Sequence, residues 1–342
     1  MGMKKRVLQI GFFFLVMGLT FYTLFYGQDL WQIQRAVLQM SPVCLILAAG
    51  LALFFVSAEG TMIWYLLRSM EGKSGLMRCI AYSFIGFFYS GITPSATGGQ
   101  PVQLYYMKKD GNRVSDSTVV LMTVALIYKF VLVGMGIGLL LFWYGQLKAE
   151  LKGYFLLYLT GLSLNIIVVV LILSIMLVPH IIKKAAAFFV RLGVRMKVMK
   201  PSIARQEKLE GFVENYQRAV QYLFLHKKKI FIVIGITFLQ RVSLFVLTYM
   251  VYLGLGIHGT GGYKVIFLQA CIYIAVDMLP LPGSQGITEL MYKTVFLQVF
   301  SSLYLIPSML ISRGLNFYFL LIVSFFVVIW NQLKGRNRQG SC

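Results

Sequence analysis

Charge is scarce in this 342-residue chain, with Asp, Glu, Lys and Arg together making up 13%. A soluble domain carries roughly 25%, so too few charges are present to cover a water-facing surface. Acids are scarcer still, 11 Asp+Glu against 32 Lys+Arg. The three histidines form no cluster, which argues against a metal site. Cys44, Cys79, Cys271 and Cys342 are scattered without disulfide or metal spacing, so a secreted, disulfide-stapled class is excluded. The first three lie in apolar runs, where cysteine acts as a small hydrophobe. There is no P-loop, no G-x-S-x-G and no His/carboxylate metal spacing. No catalytic residue, metal or cofactor is therefore expected. What the chain has in quantity is apolar sequence, 58% of it.

That apolar sequence is arranged in runs. About 20 apolar residues suffice to cross a bilayer, and clear runs occupy 7–27, 43–67, 117–145, 154–178, 230–254 and 307–331. The first follows Lys4-Lys5-Arg6 like a signal peptide, but it is too long and lacks a small-residue cleavage site, so a retained span is expected. The net charge of +21 would suit a nucleic acid. The basic residues lie between apolar runs, however, as the positive-inside rule requires of cytoplasmic loops. The expected partner is the anionic inner leaflet, and no DNA. Lys4 to Arg6, the 68–78 loop (Arg68, Lys73, Arg78) and the 108–116 loop (Lys108, Lys109, Arg113) read as cytoplasmic. The 28–42 and 255–263 loops read as outside. Segment 180–229 is the most basic, with Ile181, Ile182, Phe188, Phe189 and Leu192 at helical spacing, and predicts an amphipathic helix on the inner leaflet. The plainer alternative is a solvated basic linker. With 307–331 ending beside Lys334, Arg336 and Arg338, both termini are expected in the cytoplasm of a multi-pass cell-membrane protein.

Two further apolar stretches, 79–107 and 265–300, are broken in the middle by Pro and Gly. Basic loops flank 79–107 on both sides, so it should enter and leave on the same face, as a re-entrant hairpin does. A pure hydropathy count would make each a full span. The expected fold is a single all-α membrane domain over 1–342, with about six full spans and two broken hairpins. Its first half is 7–178 and its second 230–331, joined by the basic 180–229. The hairpins enter from opposite sides, an inverted arrangement that points to a transport site at the breaks.

Candidate binding residues follow from the breaks and from the intramembrane charges. Gly98 and Gly99 in the first tip, and Gly283 and Gly286 in the second, let backbone approach a ligand. The arm restarting after each tip offers N–H groups and the positive end of a helix, which suits phosphate. Thr97, Gln100, Gln103, Ser284 and Gln285 add side-chain donors. The plainer alternative is that Pro and Gly only permit tight turns. Lys129 and Arg241 fall mid-span, Glu59 in the inner half of its span, Asp277 near the second tip and Glu289 just after it. Charges at such depth are costly and functional by default, although structural ion pairing would also keep them. Glu289 could simply complement a helix dipole, Arg313 could snorkel from a span end, and Asn165 reads as interhelical glue.

Pro94-Ser-Ala-Thr-Gly-Gly-Gln-Pro101 and Leu279-Pro-Leu-Pro-Gly-Ser-Gln-Gly-Ile-Thr-Glu289 resemble the two signature loops of a known family. It is the lysylphosphatidylglycerol synthase transmembrane, or flippase-like, family, the membrane module of the multiple peptide resistance factor. The resemblance covers nearly the whole chain and implies phospholipids as partners. In the full-length resistance factor such a module moves lysyl-phosphatidylglycerol to the outer leaflet, and a separate soluble domain makes that lipid from lysyl-tRNA. Ser284 stands where the second loop often has another Gly, which leaves the headgroup open. No soluble catalytic domain is expected, because 180–229 is the longest non-membrane segment. The resemblance thus implies a translocase for an anionic or aminoacylated phospholipid. The alternatives are a phosphatidylglycerol lysyltransferase-type protein, which would need a tRNA-binding domain, or a non-transporting partner of a separate lipid-modifying enzyme.

Overall fold

The computed structural model describes residues 30–93, 97–178, 203–279 and 286–337, and within them every regular element is helical. The expected first span 7–27, the apolar periodicity at 181–192 and the tip residues Gly283, Ser284 and Gln285 lie outside the described residues. A short helix, α1 (Leu30–Gln39), precedes the first long one, α2 (Pro42–Ser69). Pro42 opens α2, where its missing N–H costs nothing. The Ser41 N–H donates to Gly254 O at 2.9 Å, tying the start of α2 to the end of α9 (Lys227–Gly254). These two helices form the most extensive helix pair among the described residues.

Among the described residues, five helical stretches are long and apolar enough to cross a membrane: Pro42–Ser69, Val114–Phe142, Tyr144–Leu177, Lys227–Gly254 and Ser302–Leu333. The second is α5 (Val114–Phe142). The third joins α6 (Tyr144–Leu151) to α7 (Phe155–Leu177) through one 3-10 turn at Lys152–Tyr154. The last runs from α12 (Ser302–Arg313) through a π-helix, Gly314–Phe319, into α13 (Leu320–Asn337). Their outward faces carry Leu156, Phe231, Leu239 and Phe326 exposed. That surface would drive aggregation in water and matches a hydrocarbon environment. Trp64, Tyr65, Trp143, Tyr144 and Tyr154 sit near helix ends, the level at which amphipathic rings settle in a bilayer interface.

Both broken stretches are helix–break–helix units. α3 (Leu76–Ile92, 17 residues) and α4 (Gly99–Lys109, 11 residues) pack on one another. So do α10 (Gly262–Val276, 15 residues) and α11 (Ile287–Val295, 9 residues). In each unit a long arm is followed by a short one. At the base of the first unit, Arg78 grips Asp110 with Nε at 2.5 Å and Nη2 at 3.1 Å, and also donates to Asn331 of α13. The Tyr82 hydroxyl donates to the same Asp110 carboxylate at 2.5 Å. The two feet of α3–α4 are thereby clasped to each other and to the last helix.

Two boundaries differ from the sequence reading. Basic segment 180–229 does not end before α9: Lys227, Lys228 and Lys229 form its first turn, after a break at His226 alone. The helix before it is α8 (Ile203–Leu225), which lies beyond the apolar residues 181–192 on which the leaflet reading rests. It buries Val213, Tyr216, Ala219, Val220 and Leu223 in the protein, packing on α5. The Tyr216 hydroxyl lies 3.4 Å from Met122 Sδ, and burial lifts that phenol to about 12. The last span starts at Ser302, so Pro307 stands inside α12 and not at its start.

Candidate functional site

Residues flanking both breaks border one cavity of about 660 Å³. Thr97, Gly99 and Gln100 border it from the first break, Gln103 from α4, and Thr288 and Glu289 from α11. Glu59 of α2, Lys129 of α5, Arg241 of α9, Asp277 at the end of α10 and Arg313 at the end of α12 complete its charged lining. Residues spread over 254 positions of sequence (Glu59 to Arg313) thus face one space. Apolar walls come from Phe87, Val168, Ile172, Leu244, Val276 and Met309 among others.

Asp277 caps the C-terminal, electronegative end of α10, a poor place for an isolated carboxylate. The structure offsets it twice. Lys129 forms an ion pair with Oδ2, and the Tyr128 hydroxyl donates to Oδ1 at 2.5 Å. A neighbouring pair of residues on α5 therefore holds the second break. Glu289 serves two partners: its Oε2 accepts the Gly286 N–H at 2.5 Å, and its Oε1 pairs with Arg313 Nε at 2.8 Å. The capping role expected of an acid in a first turn is real, and the ion pair is added to it. Arg313 does not snorkel, because it is 12% exposed and turned onto Glu289.

Arg241 is the least conventional of the set. It is 2% exposed and in no ion pair among the described residues. Its guanidinium lies 3.8 Å from the Tyr128 ring centre, 4.6 Å from that of Phe55 and 5.8 Å from that of Tyr273. Nη1 reaches the Tyr273 hydroxyl at 3.4 Å, and Nε has no hydrogen-bond partner. Aromatic faces stabilise a cation partly removed from water, by about 2 kcal/mol when desolvated. This box keeps the charge in place without neutralising it. Across the cavity, Glu59 Oε1 accepts from Gln103 Nε2 at 2.8 Å.

The tip glycines also have a packing role. Gly98 has φ −78° and Gly99 starts α4, so neither adopts a left-handed conformation. A Cβ on Gly99 would sit 2.1 Å from Ser90 Oγ and 2.7 Å from Gly86 O. What demands glycine there is the close approach of α3 and α4, with the Gly98 N–H satisfied by Thr93 Oγ1 at 2.9 Å. Gly86 has a matching role on the facing arm, since a Cβ there would meet Gln103 Nε2 at 2.3 Å. Gly286 is the position that needs positive φ, at 84°, with open space around it. Asn165 is fully buried but bonds within its own helix, Nδ2 to Gly161 O at 2.9 Å, so it is not the interhelical link expected.

Sequence reasoning missed the aromatic box of Phe55, Tyr128 and Tyr273, along with Gln240, Gln269 and Asn316, which also line the cavity. The three amides were findable, since each is a polar residue inside an apolar run. Nothing distinguishes the aromatics among 20 tyrosines and 27 phenylalanines.

The family described as the lysylphosphatidylglycerol synthase TM region matches residues 7–324. The chain belongs to that family. No curated protein matched it. Family membership together with the five long apolar helices makes the chain a multi-pass membrane protein, a membrane module of lipid synthesis or translocation.

Proposed function

We propose that the chain is a bacterial membrane lipid translocase acting on an anionic or aminoacylated phospholipid, such as lysyl-phosphatidylglycerol. The observation that carries this reading is the amphipathic cavity between the two broken helix pairs. Its charged lining matches a headgroup and its apolar walls match the first part of acyl chains. Arg241, in no ion pair and with its Nε unpartnered among the described residues, is the phosphodiester contact. The N-terminal ends of α4 and α11 add the positive ends of two helix dipoles. Lys129–Asp277 and Arg313–Glu289 offer partners that a headgroup ammonium or phosphate can displace.

In this reading α2–α5 and α9–α13 form an inverted repeat, with α3–α4 re-entering from the cytoplasm and α10–α11 from outside, and with both termini cytoplasmic. The arms, at 1.5 Å per residue, reach roughly 25 and 16 Å in the first unit and roughly 22 and 13 Å in the second. Long arms of that size pass the middle of a hydrocarbon core of about 30 Å.

The test is a leaflet assay on the full chain reconstituted in vesicles carrying labelled phosphatidylglycerol and lysyl-phosphatidylglycerol. At least one of the lipids should equilibrate between leaflets faster than in protein-free vesicles, and Arg241→Gln should slow it. Equal rates with and without protein for every lipid would end the translocase reading.

A further inference from the structure

Three acids and three bases line the cavity: Glu59, Asp277 and Glu289 against Lys129, Arg241 and Arg313. Two of each are joined in ion pairs, Lys129 with Asp277 and Arg313 with Glu289. Glu59 and Arg241 are left, and neither is in an ion pair among the described residues. Arg241 acts on Glu59 through space, while its guanidinium rests between aromatic rings. The contact Glu59 does have is a neutral amide, Gln103, itself 2% exposed and held in place by the missing side chain of Gly86.

Glu59 is half-buried at the cavity wall, where a carboxylate is well tolerated when a cation touches it and costly when its partner is an amide. Gln103 gives that carboxylate a hydrogen bond but no compensating charge. Other charged or titratable groups reach the cavity from the helices packed on α2: Arg241 of α9, and Tyr128 and Lys129 of α5. α3 and the π-helix contribute Gly86, Phe87, Ser90, Gly91, Asn316 and Phe317, none of which titrates. Arg313, at the end of α12, is paired. Lys129 is bound to Asp277 and Tyr128 donates to it, so Arg241 and Glu59 are the two charges free to respond to one another.

We propose that Glu59 is a proton-binding site, and that translocation of an anionic phospholipid is coupled to its protonation. With every group charged, the six side chains sum to zero. A proton on Glu59 leaves the cavity at +1 and releases Arg241 from the attraction of the carboxylate. A phosphodiester of charge −1 then restores neutrality. Proton and lipid load together and cross together, and the moving unit carries no net charge. The Gln103 contact gives the coupling a mechanical arm. An ionised Glu59 holds α4 to α2 through that amide, and a protonated one loosens the hold and frees the first break to move.

This inference rests on the translocase reading, and the experiment separates the two. The full chain is placed in vesicles with acyl-labelled phosphatidylglycerol and trapped pyranine, and a gradient of one pH unit is imposed. One proton per lipid predicts a steady-state leaflet ratio shifted toward about tenfold, labelled lipid accumulating on the less acid side. It also predicts proton entry that requires the lipid. Glu59→Gln should lose both responses, and Glu59→Asp should keep them. Lipid that moves without regard to the gradient, or a Glu59→Gln protein that still follows it, would overturn the coupling and leave the translocase reading standing. Lipid that does not move at all would overturn both. If Glu59→Gln cannot be recovered folded, the lipid-dependent pyranine signal of the unaltered protein decides the matter.

Discussion

The Lys129–Asp277 pair permits a quantitative test of whether a charge in this cavity serves architecture or lipid. The two side chains are 12% and 9% exposed. Removing one member of a buried pair costs about 3–5 kcal/mol, because the other charge remains without its partner, whereas removing both is often close to neutral. In Lys129→Met the carboxylate keeps the Tyr128 hydroxyl at 2.5 Å. The loss should therefore fall at the low end, about 3 kcal/mol, or roughly a hundredfold in the unfolding equilibrium. Asp277→Leu leaves an ammonium with no carboxylate partner and should cost about 4–5 kcal/mol. The double variant should return to within about 1 kcal/mol of the unaltered protein. Unfolding in mixed micelles, followed by tryptophan fluorescence, measures all four proteins. Additive losses, with the double variant about 7 kcal/mol down, would refute the pairing argument. The same set, reconstituted, reports on function. Lipid movement should be lost in the double variant although its stability has returned. A stable double variant that moved lipid at the normal rate would make the pair purely structural.

Further expectations can be checked alongside. Gly99→Val should destabilise by about 1–3 kcal/mol through its clash with Ser90 and Gly86, seen as a lower melting temperature in detergent; an unchanged melting temperature would contradict the packing of α3 on α4. Arg313→Ala should cost about 3–5 kcal/mol by stranding Glu289, and Glu289→Gln in the same background should recover part of it in the same unfolding assay. A cysteine replacing Lys200 in a cysteine-free background should resist membrane-impermeant reagents in intact cells, since its surroundings are the most basic of the chain; ready labelling would reverse the orientation. Tyr216→Ala should loosen α8 from α5 by about 3–5 kcal/mol, detected as faster proteolysis within residues 203–225.

What the sequence disclosed and what it withheld divide along a physical line. Long apolar runs and their Pro/Gly breaks are properties of contiguous residues, so α2, α5, α9 and both broken units were visible from composition alone. Lys129, Arg241, Asp277, Glu289 and Glu59 could each be singled out because a charge in an apolar run is costly wherever it ends up. Which charge meets which was not visible. Lys129 meets Asp277 across 148 positions of chain, and Arg313 meets Glu289 because α11 and α12 fold back on each other. The packing role of the glycine tips was hidden for a related reason. A glycine that admits a ligand and a glycine that admits a neighbouring helix are spelled identically, and only the structure shows that a Cβ on Gly99 would fall 2.1 Å from Ser90 Oγ. Asn165 was misjudged because a buried amide can be satisfied one turn back on its own helix as well as across an interface.

The π-helix at Gly314–Phe319 gives the last span a property that a straight helix lacks. Bonds from i to i+5 accommodate one residue more than an α-turn, and one residue corresponds to about 100° of rotation about the axis. Asn316 and Phe317, in that segment, line the cavity, and α13 beyond it carries Asn331, the side chain gripped by Arg78. If the segment rewound to α-helix, α13 would turn like a screw and carry Asn331 out of reach of Arg78. The clasp at the base of the first broken pair is therefore indexed to the winding of six residues beside the cavity, a discrete step of register and not a graded bend.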